Sequence, residues 1–348
     1  MGVLAMIWAT AAAAAAAGQP VRPTPKPIEP VAAIIEGLRT HDVVGSDLGH
    51  SGSERENALL IALIRDPRFP ESATDLVVEG LGGRFQDAMD RYVRGETVPD
   101  AQLKPIWNDT TQPQIPGPMW SGSVPPLFQA VRVVNETLPR ARQIRVLLGD
   151  PPIEWENVHS AADFQRWLEQ RDSFPAEQIG RDVLAKGRHA LALFGGGHLQ
   201  RKQQATNYQM DHPLAQTVVS LVERAGATTF LVHVRFQEPG ARGWPAPSLA
   251  IIRGTDLGAQ PVPEGSIPRV SIGADGRMTP LPRDQWISLR QEEQFDAVVY
   301  IGAAAPAPAL SSAICNDPAF VRTRLERMKF AGLPPSVPDR LRSLCGTP

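Results

Sequence analysis

The sequence predicts an α/β fold: a mainly parallel central sheet, helices on both faces, and a helical insertion over the strand ends. Three observations carry that expectation. Short apolar runs with almost no polar interruption recur along the 348 residues, as in strands buried on both faces. Amphipathic stretches of helical period stand between them. One stretch, 95–138, breaks the alternation with several prolines, Trp107 and Trp120, and reads as an insertion placed like a lid over the strand ends.

Residues 1–17 combine an apolar run with a string of alanines and predict a secretory signal peptide cleaved near Ala17. The proline-rich stretch 18–30 predicts an extended, unpacked linker. A single α/β domain is expected over 31–348. It opens with a helix at Val31–Leu38 and a strand at His41–Ser46. A helix at Ser53–Ile64 follows, with Leu59, Leu60, Leu63 and Ile64 on one side. Next come a strand at Asp75–Glu79 and a helix at Phe85–Arg94. Within the insertion, Pro126–Leu138 has helical spacing. Strands at Arg145–Gly149, His189–Phe194, Thr228–Val234 and Ala297–Ile301 continue the pattern. Helices at Ala161–Gln170, Ala176–Lys186, Leu214–Ala225 and Ala319–Phe330 lie between or after them. Residues 237–295 are rich in Gly and Pro and carry a weak hairpin signal.

Cys315 and Cys345 are the only cysteines. In the oxidising compartment that the leader implies, they are expected to pair. Closing a loop of that length is worth about 3–4 kcal/mol on the chain-entropy account. After the leader no run of about 18 apolar residues remains, so no membrane span is expected in the mature chain. The formal net charge is -2, which gives no electrostatic reason to expect nucleic acid or an anionic membrane as a partner. A small-molecule substrate is the expected partner, and no signal specifies an oligomeric state.

In parallel sheets ligands bind beyond the carboxyl ends of the strands. That rule selects Asp47, His50, Glu79, Asp150 and His198. Asp47 precedes His50 by three residues in one turn, so its carboxylate could orient the imidazole. A loop histidine beside an aspartate is also commonly just hydrogen-bonded and solvated. His198 follows Gly195-Gly196-Gly197, and glycines allow close backbone approach to a ligand. Glu79 ends a buried strand and needs a partner, with Arg84 and Arg91 as candidates. Asp150 precedes Pro151-Pro152 and could equally cap its own turn. Glu54, Arg84, Arg91, Asp150 and Trp107 are the expected substrate-binding residues. No Gly-x-Ser-x-Gly elbow, activated cysteine or His-Glu-x-x-His helix is present. The residues therefore fit direct attack by water, with His50 as base, and require no cofactor. Two histidines with several carboxylates leave a divalent metal open.

Three stretches, Gly45–His50, Leu76–Glu79 and Phe194–Leu199, resemble the erythromycin esterase-like group in their order and strand context. That group belongs to a superfamily with ChaN-type haem-binding lipoproteins and Tiki-type metalloproteases. Phe85–Val93, Ile106-Trp107, Leu147–Trp155 and Phe295–Gly302 look like a bacterial branch of it. The resemblance spans about residues 31–340. It implies an exported hydrolase of an ester, lactone or related bond. His50 would activate water, and Glu79 and His198 would orient it or stabilise developing charge. The family tends to carry Glu where this sequence has Asp47, one methylene shorter. Two alternatives use the same residues: a non-catalytic binder of haem or another small ligand, and a divalent-metal-dependent hydrolase held by His50, His198 and Glu79.

Overall fold

The computed structural model describes residues 21–50, 53–113, 124–202, 216–240, 242–263, 270–272, 278–303, 315–333 and 335–346. The predicted signal peptide, the first residues of the linker, and Trp120 lie outside that set.

Chain order sets the architecture. Helix α1 (Pro30–Thr40) starts with Pro at its first position, and Glu29 accepts hydrogen bonds from the backbone N–H of Val31 and Ala32. Strand β1 (Val43–Ser46) is buried throughout, as a central parallel strand must be. Ser53 caps α2 (Glu54–Arg65), whose Leu59, Leu60, Leu63 and Ile64 face the core. Full burial of each such side chain is worth about 1.5–3 kcal/mol. The short α3 (Phe69–Ser72) leads into β2 (Asp75–Gly82). Then come α4 (Gln86–Val93), α5 (Asp100–Asn108), α6 (Pro126–Asn135) and β3 (Arg145–Asp150). Helices α7 (Ala161–Leu168) and α8 (Ser173–Asp182) precede β4 (Ala190–Leu193). Helix α9 (Val218–Arg224) and β5 (Thr229–Arg235) follow. Beyond lie β6 (Ser248–Ile251), the hairpin β7 (Val270–Ile272) and β8 (Met278–Pro280), β9 (Ala297–Tyr300), α10 (Pro318–Met328) and α11 (Ser336–Cys345). Cys315 and Cys345 form the expected disulfide.

The main sheet has the order β3-β2-β4-β1-β5-β9-β6, parallel except for β6, which pairs antiparallel with β9. Strand side chains alternate between two cores. Val44, Leu76, Val78 and Leu191 join α1, α2, α4 and α6 on one face. Val43, Val77, Ala190 and Ala192 join α8 and α9 on the other. The predicted α/β class therefore holds.

Three expectations change. Residues 21–30 are not an unpacked linker, because Ile28 exchanges backbone hydrogen bonds with Leu249 of β6 and Arg22 pairs with Glu292. Strand β2 does not stop at Glu79. It continues to Gly82 through a register shift against β3, with Gly80 at φ +70°. Helix α8 begins at Ser173, three residues before the predicted start, which leaves Arg171 and Asp172 at its entrance.

Candidate active site

Sheet topology creates the crevice. From β1 and β2 the chain leaves over the α2, α4 and α6 face. From β4, which lies between them, it leaves over the α9 face. Adjacent strands whose outgoing chains diverge leave a gap at their carboxyl ends, where open α/β sheets bind ligands. Glu79, His50 and Gly195 converge there.

Glu79 is the hub. Its side chain, only 10% exposed, lies at the register shift in β2, and its carboxylate stands in this gap. Its Oε1 accepts from Arg171 at 2.6 Å and from the Gln112 amide at 2.7 Å, and lies 3.3 Å from His198 Nε2. Its Oε2 accepts from the Gly195 N–H at 2.5 Å and lies 3.8 Å from His50 Nδ1. Burial pushes the Glu79 pKa up, but the positive charges of His198, Arg171 and His50 and the His198 hydrogen bond win, holding it well below the usual carboxylate range.

His198 has the opposite setting. Its Nδ1 lies 2.8 Å from Asp172, so the ring is caught between two carboxylates with only 16% of the side chain exposed. Burial disfavours the imidazolium, but Asp172 and Glu79 outweigh it and raise the pKa to about 10. His198 is therefore a fixed cation at neutral pH and cannot act as a general base. Asp172 occupies the capping position of α8 without capping it. Its carboxylate serves His198 and the Val218 N–H instead.

His50 is the exposed member, with 59% of its side chain open to solvent. It lies over Gly195: a Cβ there would come within 2.9 Å of His50 Cε1 and 3.2 Å of Glu79 Oε2. The glycine thus makes room for the imidazole to approach the strand end. Beside His50 a cavity of about 210 Å³ is lined by apolar groups including Leu48, Leu60, Val78, Leu127 and Phe194, with His50, Glu79 and Asn57 as its polar groups.

The structure brings together three of the four residues expected to be catalytic. Asp47 is the exception and does not orient His50. Its carboxylate accepts from the Val234 N–H and pairs with His233 Nδ1 at 2.8 Å, while only its backbone carbonyl meets the His50 N–H. Strand β5 lies beside β1, so the side chain leaving β1 turns toward β5 rather than back along its own loop.

The expected substrate-binding residues separate further. Asp150 lies close enough to interact electrostatically with Arg171 and Glu79, but both its oxygens are engaged by the Thr111 N–H and hydroxyl. Burial raises its pKa to about 6, against the opposing pull of Arg171 and Thr111. Glu54 is exposed in the first turn of α2, and Glu56 supports the loop by accepting from the Gly49 N–H. Arg84 pairs with Glu156, and Arg91 with Glu96 and Gln102, so neither is the partner of Glu79. Trp107 is buried in the α5 core and is not among the residues lining the cavity.

Sequence reasoning missed Arg171, Asp172 and Gln112. None follows a strand, so the strand-end rule passes over them. His233 carried a usable signal: a histidine inside the buried run Thr-Phe-Leu-Val-His-Val requires a polar partner. Among the described residues no group of three or more His, Cys, Asp or Glu is arranged to hold a metal ion. No described helix is long and apolar enough to cross a membrane.

No protein-family model and no curated protein matches the chain. Solved structures do. A Bacillus cereus protein shares 12% identity with a TM-score of 0.51, covering 82% of this chain and 96% of its own. A succinoglycan biosynthesis protein shares 12% identity with a TM-score of 0.48, covering 81% and 93%. ChaN of Campylobacter jejuni, solved with cofacial haem, shares 13% identity with a TM-score of 0.36, covering 60% and 86%. The first likeness shows a shared fold.

Proposed function

We propose that this chain is an exported hydrolase of the erythromycin esterase-like type, cleaving an ester, lactone or related bond with water activated by His50. One observation carries the reading. An exposed imidazole stands at an apolar cavity, seated on a glycine, with an ionised buried carboxylate 3.8 Å behind it. His50 takes a proton from water as the oxygen adds to the substrate carbonyl. The imidazolium so formed faces Glu79, which compensates its charge, and then returns the proton to the departing alkoxide. Arg171, Gln112 and the Gly195 N–H hold the Glu79 carboxylate in place, and the His198 cation balances its charge.

The same contacts bear on a metal-dependent mechanism. Glu79 directs its lone pairs at N–H donors from Arg171, Gln112 and Gly195, and the neighbouring Arg171 and His198 charges repel a second cation. These contacts favour the metal-free reading over one in which His50, His198 and Glu79 hold a divalent ion.

The test is turnover of an ester and lactone panel by wild type and His50→Ala, with and without chelator. We expect wild-type turnover that survives chelator and falls about 10²- to 10⁴-fold in His50→Ala, the range for loss of a general base. Unchanged turnover in His50→Ala would sink the mechanism. Loss with chelator alone would transfer the reading to a metal enzyme. No turnover, with a Soret shift on haem titration, would favour a ligand binder.

A further inference from the structure

The last residues of α5 and the segment that follows, 107–112, form a strap held by contacts from other elements. Arg324 of α10 donates to the carbonyls of Gln112 at 2.7 Å and Trp107 at 3.5 Å. Arg327, one turn along, donates to the Asn108 carbonyl at 3.1 Å and pairs with Asp109 at 2.6 Å. The Trp155 indole donates to the Thr110 carbonyl, and Thr111 is fixed by Asp150. The segment runs so close to β2 that a Cβ at Gly82 would meet the Asp109 carbonyl oxygen at 2.6 Å. At its end the Gln112 amide reaches Glu79.

The clasp on this strap has an apolar cluster of its own and packs on the rest of the chain through Phe330, Ala331 and Arg327. Helices α10 and α11 share their own small apolar cluster of Val321, Met328 and Leu341, and the Cys315–Cys345 disulfide joins their far ends. Arg324 is only 1% exposed. Burial, with Arg327 alongside, lowers its pKa to about 9, so it remains charged at neutral pH. A buried guanidinium is costly unless its donors are used, and two of the partners it uses are carbonyls of the strap.

We propose that Arg324 is a positioning residue: from the disulfide-tied C-terminal hairpin it holds residues 107–112 so that Gln112 fixes the Glu79 carboxylate. The hairpin lines no part of the cavity described above, yet it sets the geometry of the group behind His50. The kinetic part of this inference rests on the hydrolase reading.

Two measurements test it on the full mature chain. Hydrogen exchange is followed in wild type, Arg324→Met, Cys345→Ser and the exposed control Arg342→Ala. Exchange in 107–112 should rise at least about tenfold in the first two variants and stay at the wild-type rate in the control, with β6 unchanged throughout. In parallel, kcat and KM are measured for Gln112→Leu, Arg324→Met and the double variant. Each single change should lower kcat by about 10- to 100-fold with little effect on KM. The double variant should be no worse than either single one, because both act through one contact. Unchanged exchange in 107–112, or single effects that multiply in the double variant, would overturn the proposal. If Arg324→Met does not fold, Cys345→Ser and Gln112→Leu carry the same comparison. If no ester is turned over, the hydrolase reading falls, and the exchange measurement alone decides the clasp.

Discussion

His50 and His198 flank the same carboxylate and have opposite surroundings. His198 is held between Asp172 at its Nδ1 and Glu79 at its Nε2, and these two carboxylates keep the ring protonated. His50 meets Glu79 at 3.8 Å from the solvent side and faces an apolar cavity. The difference shows that one residue type is built into this site in two ways: His198 as a buried cation held between paired carboxylates, and His50 as a solvent-facing ring at the mouth of the cavity.

The largest effect should come from breaking the buried half. His198→Ala leaves Asp172 and Glu79 facing each other without their shared cation. We expect a stability loss of about 3–5 kcal/mol, the range for removing one partner of a buried ion pair, read by urea denaturation. A loss no larger than that of a surface substitution would mean that the pair is not coupled as its geometry implies.

The exposed half breaks differently. Gly195→Ala pushes a methyl group toward the His50 ring, which can swing into solvent, and toward Glu79, which cannot. On the hydrolase reading, turnover should fall about 10- to 100-fold through misplacement of His50. A chain that denatures at the wild-type urea concentration while losing turnover would locate the damage at His50.

Titration sharpens the contrast. The His198 pKa is raised in the folded state, from an ordinary value near 6.5 to about 10. Its stabilising contribution is therefore complete below pH 6.5 and disappears as pH rises through about 10. Glu79, held below its ordinary value, contributes above that value and loses its contribution as the solution is acidified. Asp150 runs the other way: raised to about 6, it favours the fold when protonated, and that contribution fades as pH rises through about 6. Denaturation midpoints should decline across the alkaline window in wild type, and the decline should be shallower in His198→Gln.

The smallest effect is expected at Arg91. Its pairs with Glu96 and Gln102 are exposed, so Arg91→Ala should cost about 0.2–1 kcal/mol and leave kcat unchanged. A clear rise in KM would return Arg91 to the substrate.

Much of this arrangement was legible in the sequence. Apolar runs and their spacing located the strands of the parallel core, and the strand-end rule then selected Glu79, His50 and His198. The register shift beyond Val78 was hidden, because two extra residues at a strand end leave no mark on hydrophobic periodicity. Asp47 was assigned to His50 from proximity along the chain, whereas its partner His233 is 186 residues away across a neighbouring strand. Arg171, Asp172 and Gln112 reach the site from a helix entrance and a strap, positions whose direction depends on tertiary packing. Arg84 and Arg91 illustrate the same limit in reverse, since nearness in sequence to Glu79 did not make either its partner.

The contact between Ile28 and Leu249 has a consequence for solubility. Strand β6 ends the sheet, and its outer backbone groups would otherwise face water beside the exposed Ile251. Ile28 covers part of that edge with a backbone bridge, and the surrounding prolines offer few N–H groups to an incoming strand. Residues 21–29, through Ile28, thus act as a selvedge for the sheet, and a chain trimmed back to residue 30 would expose a raw edge along which molecules join strand to strand.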